Sequence, residues 1–137
     1  MNGILFHMID AAPQPVAPFS HAAEIDGWVF VTGQMPTYPG NPQAAVPDGI
    51  EAQTHLVIDN LRRVLEGLSL RLSDVVRAGA YLTHFVEDYE IFNRIYRSYF
   101  EPGRLPARTC IGVTALARGA RVEVDFIARR PAPPRGA

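Results

Sequence analysis

An α+β domain, one mixed six-stranded sheet carrying two helices on a single face, is what this chain predicts, and three observations predict it. Runs of period two cluster near both ends of the chain. Two longer stretches between them keep the helical period. Together they fall in the order β-β-β-α-β-α-β-β, which closes most simply into one sheet with one helical layer. The 137 residues, 47% of them hydrophobic, suit a single compact domain, expected over residues 1–130.

The elements follow in order. Residues 3–9 are mostly apolar and read as an opening strand, and the proline-punctuated stretch from Ala12 to Pro18 reads as extended loop. Ala22 to Ile25 and Trp28 to Gly33 flank Asp26-Gly27, the signal of a two-residue type I′ hairpin. Residues 36–48 carry four prolines and form a loop. Asp48-Gly49-Ile50-Glu51 then supplies an N-cap acceptor with a Glu three positions on, the capping-box pattern. From there Ile50, Val57, Ile58, Leu61, Val64, Leu65 and Leu68 keep a helical period, predicting an amphipathic helix of roughly 20 residues.

Val75 to Thr83 is a small-residue-rich apolar run and reads as a strand, and Glu87 to Phe100 reads as a second helix with Tyr89, Phe92, Ile95, Tyr96 and Tyr99 as its apolar stripe. Pro102-Gly103 ends it. Ala107 to Thr114 and Arg121 to Ala128 close the sheet. Residues 131–137 are proline-rich with nothing to bury and are expected to be a flexible tail.

Composition excludes several chemistries. All thirteen basic residues are arginine, which removes lysine Schiff bases, pyridoxal phosphate attachment and P-loop phosphate binding. The net charge of −1 argues against a nucleic-acid partner. The lone Cys110 rules out an intramolecular disulfide, and no apolar run approaches a membrane span. The start lacks the basic segment of a secretory signal, so a cytoplasmic location is expected, with no membrane partner. His7, His21, His55 and His84 are scattered without ligand spacing, and no metal is expected.

Strand alternation supplies the functional clue. In the last strand Val122, Val124, Phe126 and Ala128 belong with the helices, which sends Arg121, Glu123 and Asp125 to the opposite face. In the strand taken as its neighbour, Arg108, Cys110 and Gly112 are placed on that same side, with Ala107, Ile111 and Val113 in the core. Trp28, Phe30 and Thr32 join them if Val29 and Val31 face inward. A helix-free face with these aromatics exposes a large apolar patch, so a second subunit is expected to cover it. Arg108 beside Glu123 would clamp a substrate carboxylate and keep a proton-handling group over the neighbouring atom.

These residues carry a resemblance. Pro18-Phe19-Ser20-His21-Ala22, Val29-Phe30-Val31-Thr32-Gly33-Gln34-Met35-Pro36, Gly49-Ile50-Glu51-Ala52-Gln53-Thr54, Pro106-Ala107-Arg108-Thr109-Cys110 and Val122-Glu123-Val124 resemble, in order and spacing, the motifs of the RidA/YjgF reactive-intermediate deaminases. Asn93, Tyr96 and Phe100 fit the family's second helix. The resemblance covers nearly the whole chain. It implies a chorismate-mutase-like fold, a homotrimer with sites between subunits, and hydrolysis of short-lived enamines and imines such as 2-aminoacrylate, 2-iminopropanoate and 2-iminobutanoate to a 2-keto acid and ammonia, without a cofactor.

On that resemblance Arg108 forks onto the substrate carboxylate, with backbone N–H groups near Cys110 assisting, and Glu123 polarises the attacking water and moves its proton to the departing nitrogen. Thr32 stands at the family's serine position, Phe19 replaces the usual tyrosine, and His21 replaces a glutamine. Gly33 either relieves crowding or lets a ligand approach the backbone. The blander readings are a surface ion pair for Arg108 and Glu123, a small buried filler for Cys110, and solvated faces for Arg62-Arg63 and Arg129-Arg130. Alternative functions are a deaminase of a larger substrate such as 2-aminomuconate, a non-catalytic metabolite-binding or protein-stabilising trimer, and, with least support, a ribonuclease.

Overall fold

The structure, a computed structural model, describes residues 3–132. Six strands and two α-helices follow the expected order: β1 (Leu5–His7), β2 (Ala22–Ile25), β3 (Trp28–Gln34), α1 (Ile50–Gly67), β4 (Val75–Leu82), α2 (Phe85–Ser98), β5 (Ala107–Gly112) and β6 (Val122–Arg129). Two short 3₁₀ turns, Leu72–Asp74 and Ala117–Gly119, were not legible in the sequence. Residues 133–137, most of the expected tail, lie outside the described residues.

The strands form one sheet in the order β1-β2-β3-β6-β4-β5. Every neighbouring pair is antiparallel except β4 and β5, whose parallel pairing requires a crossover, supplied by α2. The last strand therefore enters the middle of the sheet between β3 and β4. β5, the penultimate strand in sequence, is the edge. The expectation that β5 neighbours β6 is overturned, because β4 lies between them.

Hairpin chemistry at the start behaves as predicted. Asp26 and Gly27 both take positive φ, 52° and 82°, the pair of left-handed conformations that a type I′ turn needs, and Ile25 pairs with Trp28 across it. The capping box does not form. Gly49, at φ 86°, occupies the N-cap without a side-chain bond, a conformation only glycine takes cheaply. Buried Gln53 does the local work instead: its Nε2 donates to the Pro47 carbonyl, and its Oε1 accepts from the Arg121 N–H.

The core lies between the helices and one face of the sheet. Val57, Ile58, Leu61, Val64 and Leu65 of α1 and Phe92 of α2 are fully enclosed against Val29, Ala80, Val122, Val124 and Ala128. The opposite face bears Trp28 and Phe30, 41% and 46% exposed, as alternation requires.

Two arginines depart from their expected places. Arg121 leaves the helix-free face and makes a bidentate pair with buried Asp88 of α2, at 2.8 and 3.0 Å. Arg130, read as solvated, donates twice to buried Glu24 at 2.6 and 3.0 Å and once to the Leu68 carbonyl, fastening the end of β6 to β2 and to the end of α1. Arg129 stacks over the Trp28 ring, its guanidinium carbon 5.4 Å from the centroid.

Candidate functional site

Arg108 lies on the helix side of the sheet. It pairs in register with Ala78, a core residue of β4, so the two side chains share a face. Its Nη2 donates to Asn93 Oδ1 of α2 at 2.7 Å. The guanidinium carbon stands 4.9 Å from the Tyr96 ring centroid and 5.4 Å from that of Phe92, a cation–π stack that screens one side of the charge. Among the described residues no carboxylate pairs with it. A half-buried guanidinium held by a neutral amide and aromatic rings keeps N–H donors that can receive an anion. Asn93, Tyr96, Leu105 and Pro106 border a cavity of about 270 Å³ beside it.

Cys110, two residues on, shares that face and packs against the core. Burial pushes its thiol up, with Arg108 pulling the other way, so the neutral thiol is favoured and the filler reading fits. Burial likewise pushes the Tyr96 phenol up to about 12. The alternation argument assigned β5 the wrong way round: Ala107 and Ile111 face away from the helices and are exposed, while Arg108 and Cys110 face them. Edge position is the reason. α2 covers β5 with a ring stack that receives a guanidinium, so polarity no longer marks the outer face.

Glu123 is on the other side. It pairs across β6 and β4 with Tyr81, and Asp125 pairs with Gly79, all on the helix-free face. A Cβ on Gly33 would lie 2.3 Å from Glu123 Oε2, and one on Gly79 would lie 2.7 Å from Asp125 Oδ1. Two glycines on the strands flanking β6 thus clear the seats of two carboxylates. Tyr81 donates its hydroxyl to Asp125 Oδ2 at 2.8 Å, which raises the Tyr81 phenol above its ordinary value. Burial, and then the charge of Asp125, hold the Glu123 carboxyl above the usual carboxylate range.

A bulge in β3 shapes the ground beside Glu123. Val31 pairs with Phe126 and Gln34 with Val124, so three steps along β3 match two along β6. The bulge presents Thr32 and Gly33 toward Asp125 and Phe19, at a cavity of about 610 Å³ walled by Phe6, Phe19 and Phe30. Thr32 has committed its proton: the hydroxyl donates to the Ser20 carbonyl at 2.7 Å, leaving only lone pairs for a ligand. His21, one residue after Ser20, does not join this cavity. It is fully buried, accepting the Ile9 N–H at Nδ1 and facing the Pro13 carbonyl at Nε2, both at 2.7 Å, a strut for the N-terminal loop.

The predicted residues therefore fall into two groups within one chain. Phe19, Thr32, Gly33 and Glu123 gather on the helix-free face; Arg108 and Cys110 gather under α2. Sequence reasoning passed over Tyr81, Gly79 and the role of Asn93. Register with β6 and the packing of α2 reveal them, and neither has a local sequence signal. Among the described residues no group of three or more His, Cys, Asp or Glu side chains is placed to hold a metal ion, and no helix is long and apolar enough to cross a membrane.

The family described as endoribonuclease L-PSP matches residues 9–130. The chain belongs to this family, the RidA/YjgF family. Among its RidA relatives, a RutC family protein of Saccharolobus solfataricus is 35% identical over 130 residues, covering 95% of this chain and 99% of the relative. The mouse 2-iminobutanoate/2-iminopropanoate deaminase is 34% identical over 130 residues, covering 93% and 94%. The solved structure of the Rid-family protein YyfA from Yersinia pestis superposes with a TM-score of 0.87 at 30% identity, over 93% of this chain and all of that one.

Proposed function

We propose that this RidA-family chain hydrolyses small 2-imino acids and their enamine tautomers to 2-keto acids and ammonia, at sites built between subunits of a homotrimer. The observation that carries the reading is the half-buried Arg108, held by Asn93 and lacking a carboxylate partner among the described residues. Kinship with a deaminase supports the reaction class.

In this reading Arg108 of one subunit takes the substrate carboxylate in a two-point fork, which fixes the plane of the imine. Glu123 of the neighbouring subunit stands over C2. As a carboxylate it accepts a proton from water while the water oxygen bonds to C2 of the protonated imine, giving a carbinolamine. It returns that proton to nitrogen, then takes the carbinolamine hydroxyl proton as the C–N bond breaks, leaving a 2-keto acid, and passes the proton to the departing ammonia, which leaves as ammonium. Its raised proton affinity suits both halves of that task. Phe19 and Phe30 wall the space for the substrate side chain, and the lone pairs of Thr32 face the same region. An imine is already electrophilic, so orientation and one acid/base group suffice.

A second reading keeps the chemistry and enlarges the substrate. The apolar cavity of about 610 Å³, with Phe19 where the family pattern has tyrosine, favours an unsaturated amino acid larger than 2-aminoacrylate. The test generates 2-iminobutanoate with an amino-acid oxidase and follows 2-ketobutanoate with and without the protein. Acceleration is expected, and Arg108→Ala is expected to reduce it by about 100-fold or more. An unaltered rate with wild-type protein across small and large substrates would leave a non-catalytic binding role instead.

A further inference from the structure

We propose that Asp125, pinned by the Tyr81 hydroxyl, is a positioning residue for Glu123: a negative charge held at a fixed place on the same face, tuning how readily Glu123 takes and gives up its proton. The proposal rests on the reading in which Glu123 handles the water proton, and it adds a residue to that machinery.

Geometry carries it. Glu123 and Asp125 are two positions apart on β6 and so project from one face. A negative charge on the same face raises the proton affinity of a neighbouring carboxylate. An exposed, freely rotating aspartate would matter little, because solvent would screen it. Asp125 is neither: Tyr81 fixes Oδ2 at 2.8 Å, and the bare Cα of Gly79 admits Oδ1 closely enough that a Cβ there would sit 2.7 Å from it and 2.9 Å from the Tyr81 oxygen. Glu123 has the matching arrangement with Gly33. Such clearance on two separate strands serves two carboxylates in defined places.

The other groups facing the pair are few. Tyr81, opposite Glu123, is committed to Asp125, and its own proton affinity is raised by that bond. Arg77, on the same face of β4, opposes this with its positive charge. From β3 the cavity beside Asp125 is lined by Phe30, Val31, Thr32 and Gly33, and from β5 the residues in register with Gly79 and Tyr81 are Thr109 and Ile111, all uncharged. The shift in Glu123, caused first by burial and then by Asp125, agrees in direction with the geometry.

Asp125→Asn removes the charge yet leaves an oxygen to accept the Tyr81 proton, and Tyr81→Phe keeps the charge but frees it. Two readouts are needed, one of which does not depend on turnover. Carboxyl-carbon NMR titration of Glu123 is expected to move to lower pH by about half a unit or more in Asp125→Asn, and by less in Tyr81→Phe, where the charge is kept but is free to swing away. The acid limb of kcat/KM for imine hydrolysis is expected to move the same way, with a several-fold fall on the plateau as Glu123 becomes a weaker base. A Glu123 midpoint unmoved in both variants overturns the proposal, whether or not the protein is a deaminase. A moved midpoint in a protein without deaminase activity upholds the tuning and overturns the proposed reaction instead.

Discussion

Arg108 and Glu123 project from opposite faces of one sheet, on strands separated by β4. Arg108 is in register with core Ala78, and Glu123 with Tyr81, which points the other way. One small substrate cannot touch both within a single chain. If both residues serve the same reaction, they come from different subunits, and the exposed edge of β5 and the exposed aromatics of the helix-free face are the surfaces that a neighbour would cover.

Gly33 tests the seat of the Glu123 carboxylate. Gly33→Ala places a methyl carbon 2.3 Å from the present position of Oε2, and the end of a glutamate side chain can swing away at modest cost. The expected result is a folded protein with Tm lowered by only a few degrees and kcat down by about 10- to 100-fold. Thermal unfolding and the keto-acid assay on the same preparation check both halves.

Glu123 itself is held above the usual carboxylate range, mainly by burial. A carboxyl whose folded proton affinity is raised contributes stability at low pH, and that contribution is lost as pH rises from the unfolded value of about 4.5 through the higher folded value. Glu123→Gln removes the ionisation and is therefore expected to raise Tm at pH 7 by about one to a few degrees while abolishing turnover. The gain is expected to vanish near pH 4. Thermal unfolding from pH 4 to 8 measures it, and a variant less stable at pH 7 would contradict the assignment.

Glu24 has the opposite sign. Its hydrogen bonds to Arg130 outweigh burial and, with His7 helping, hold its carboxyl below the ordinary value of 4.5. That stability is fully present above pH 4.5 and is lost as pH falls through the lower folded value. Glu24→Gln is expected to destabilise the protein at pH 7 by about 1–3 kcal/mol, because Arg130 and His7 lose the carboxylate charge and one of its two accepting oxygens. The difference from wild type should shrink on acidification, measured by urea unfolding at pH 7 and pH 3.

Much of this arrangement is legible in the sequence. Asp26-Gly27 announced its hairpin as a residue pair that takes two positive φ values cheaply, and the apolar stripe of α1 is buried as its period required. Alternation placed Glu123 correctly because β6 is central and has one apolar face. It failed for Arg108 because β5 is an edge strand under an aromatic helix, where a guanidinium is as much at home as a leucine. The insertion of β6 between β3 and β4 is a long-range pairing with no local signature, so Gly79, Tyr81 and Asp125 could not be associated in advance. The role of His21 had no local signal either: its burial depends on the carbonyl of Pro13 and the N–H of Ile9 converging from a loop.

The central claim is a site shared between subunits, and subunit mixing tests it most directly. Arg108→Ala and Glu123→Gln chains, each expected to be inactive alone, are co-expressed in equal amounts, and the keto-acid assay is run on the mixed assembly. In a closed ring each site takes Arg108 from one chain and Glu123 from the next, so random mixing restores about a quarter of the wild-type activity. Recovery near that level is the predicted result; mixed assemblies as inactive as either parent would contradict the account.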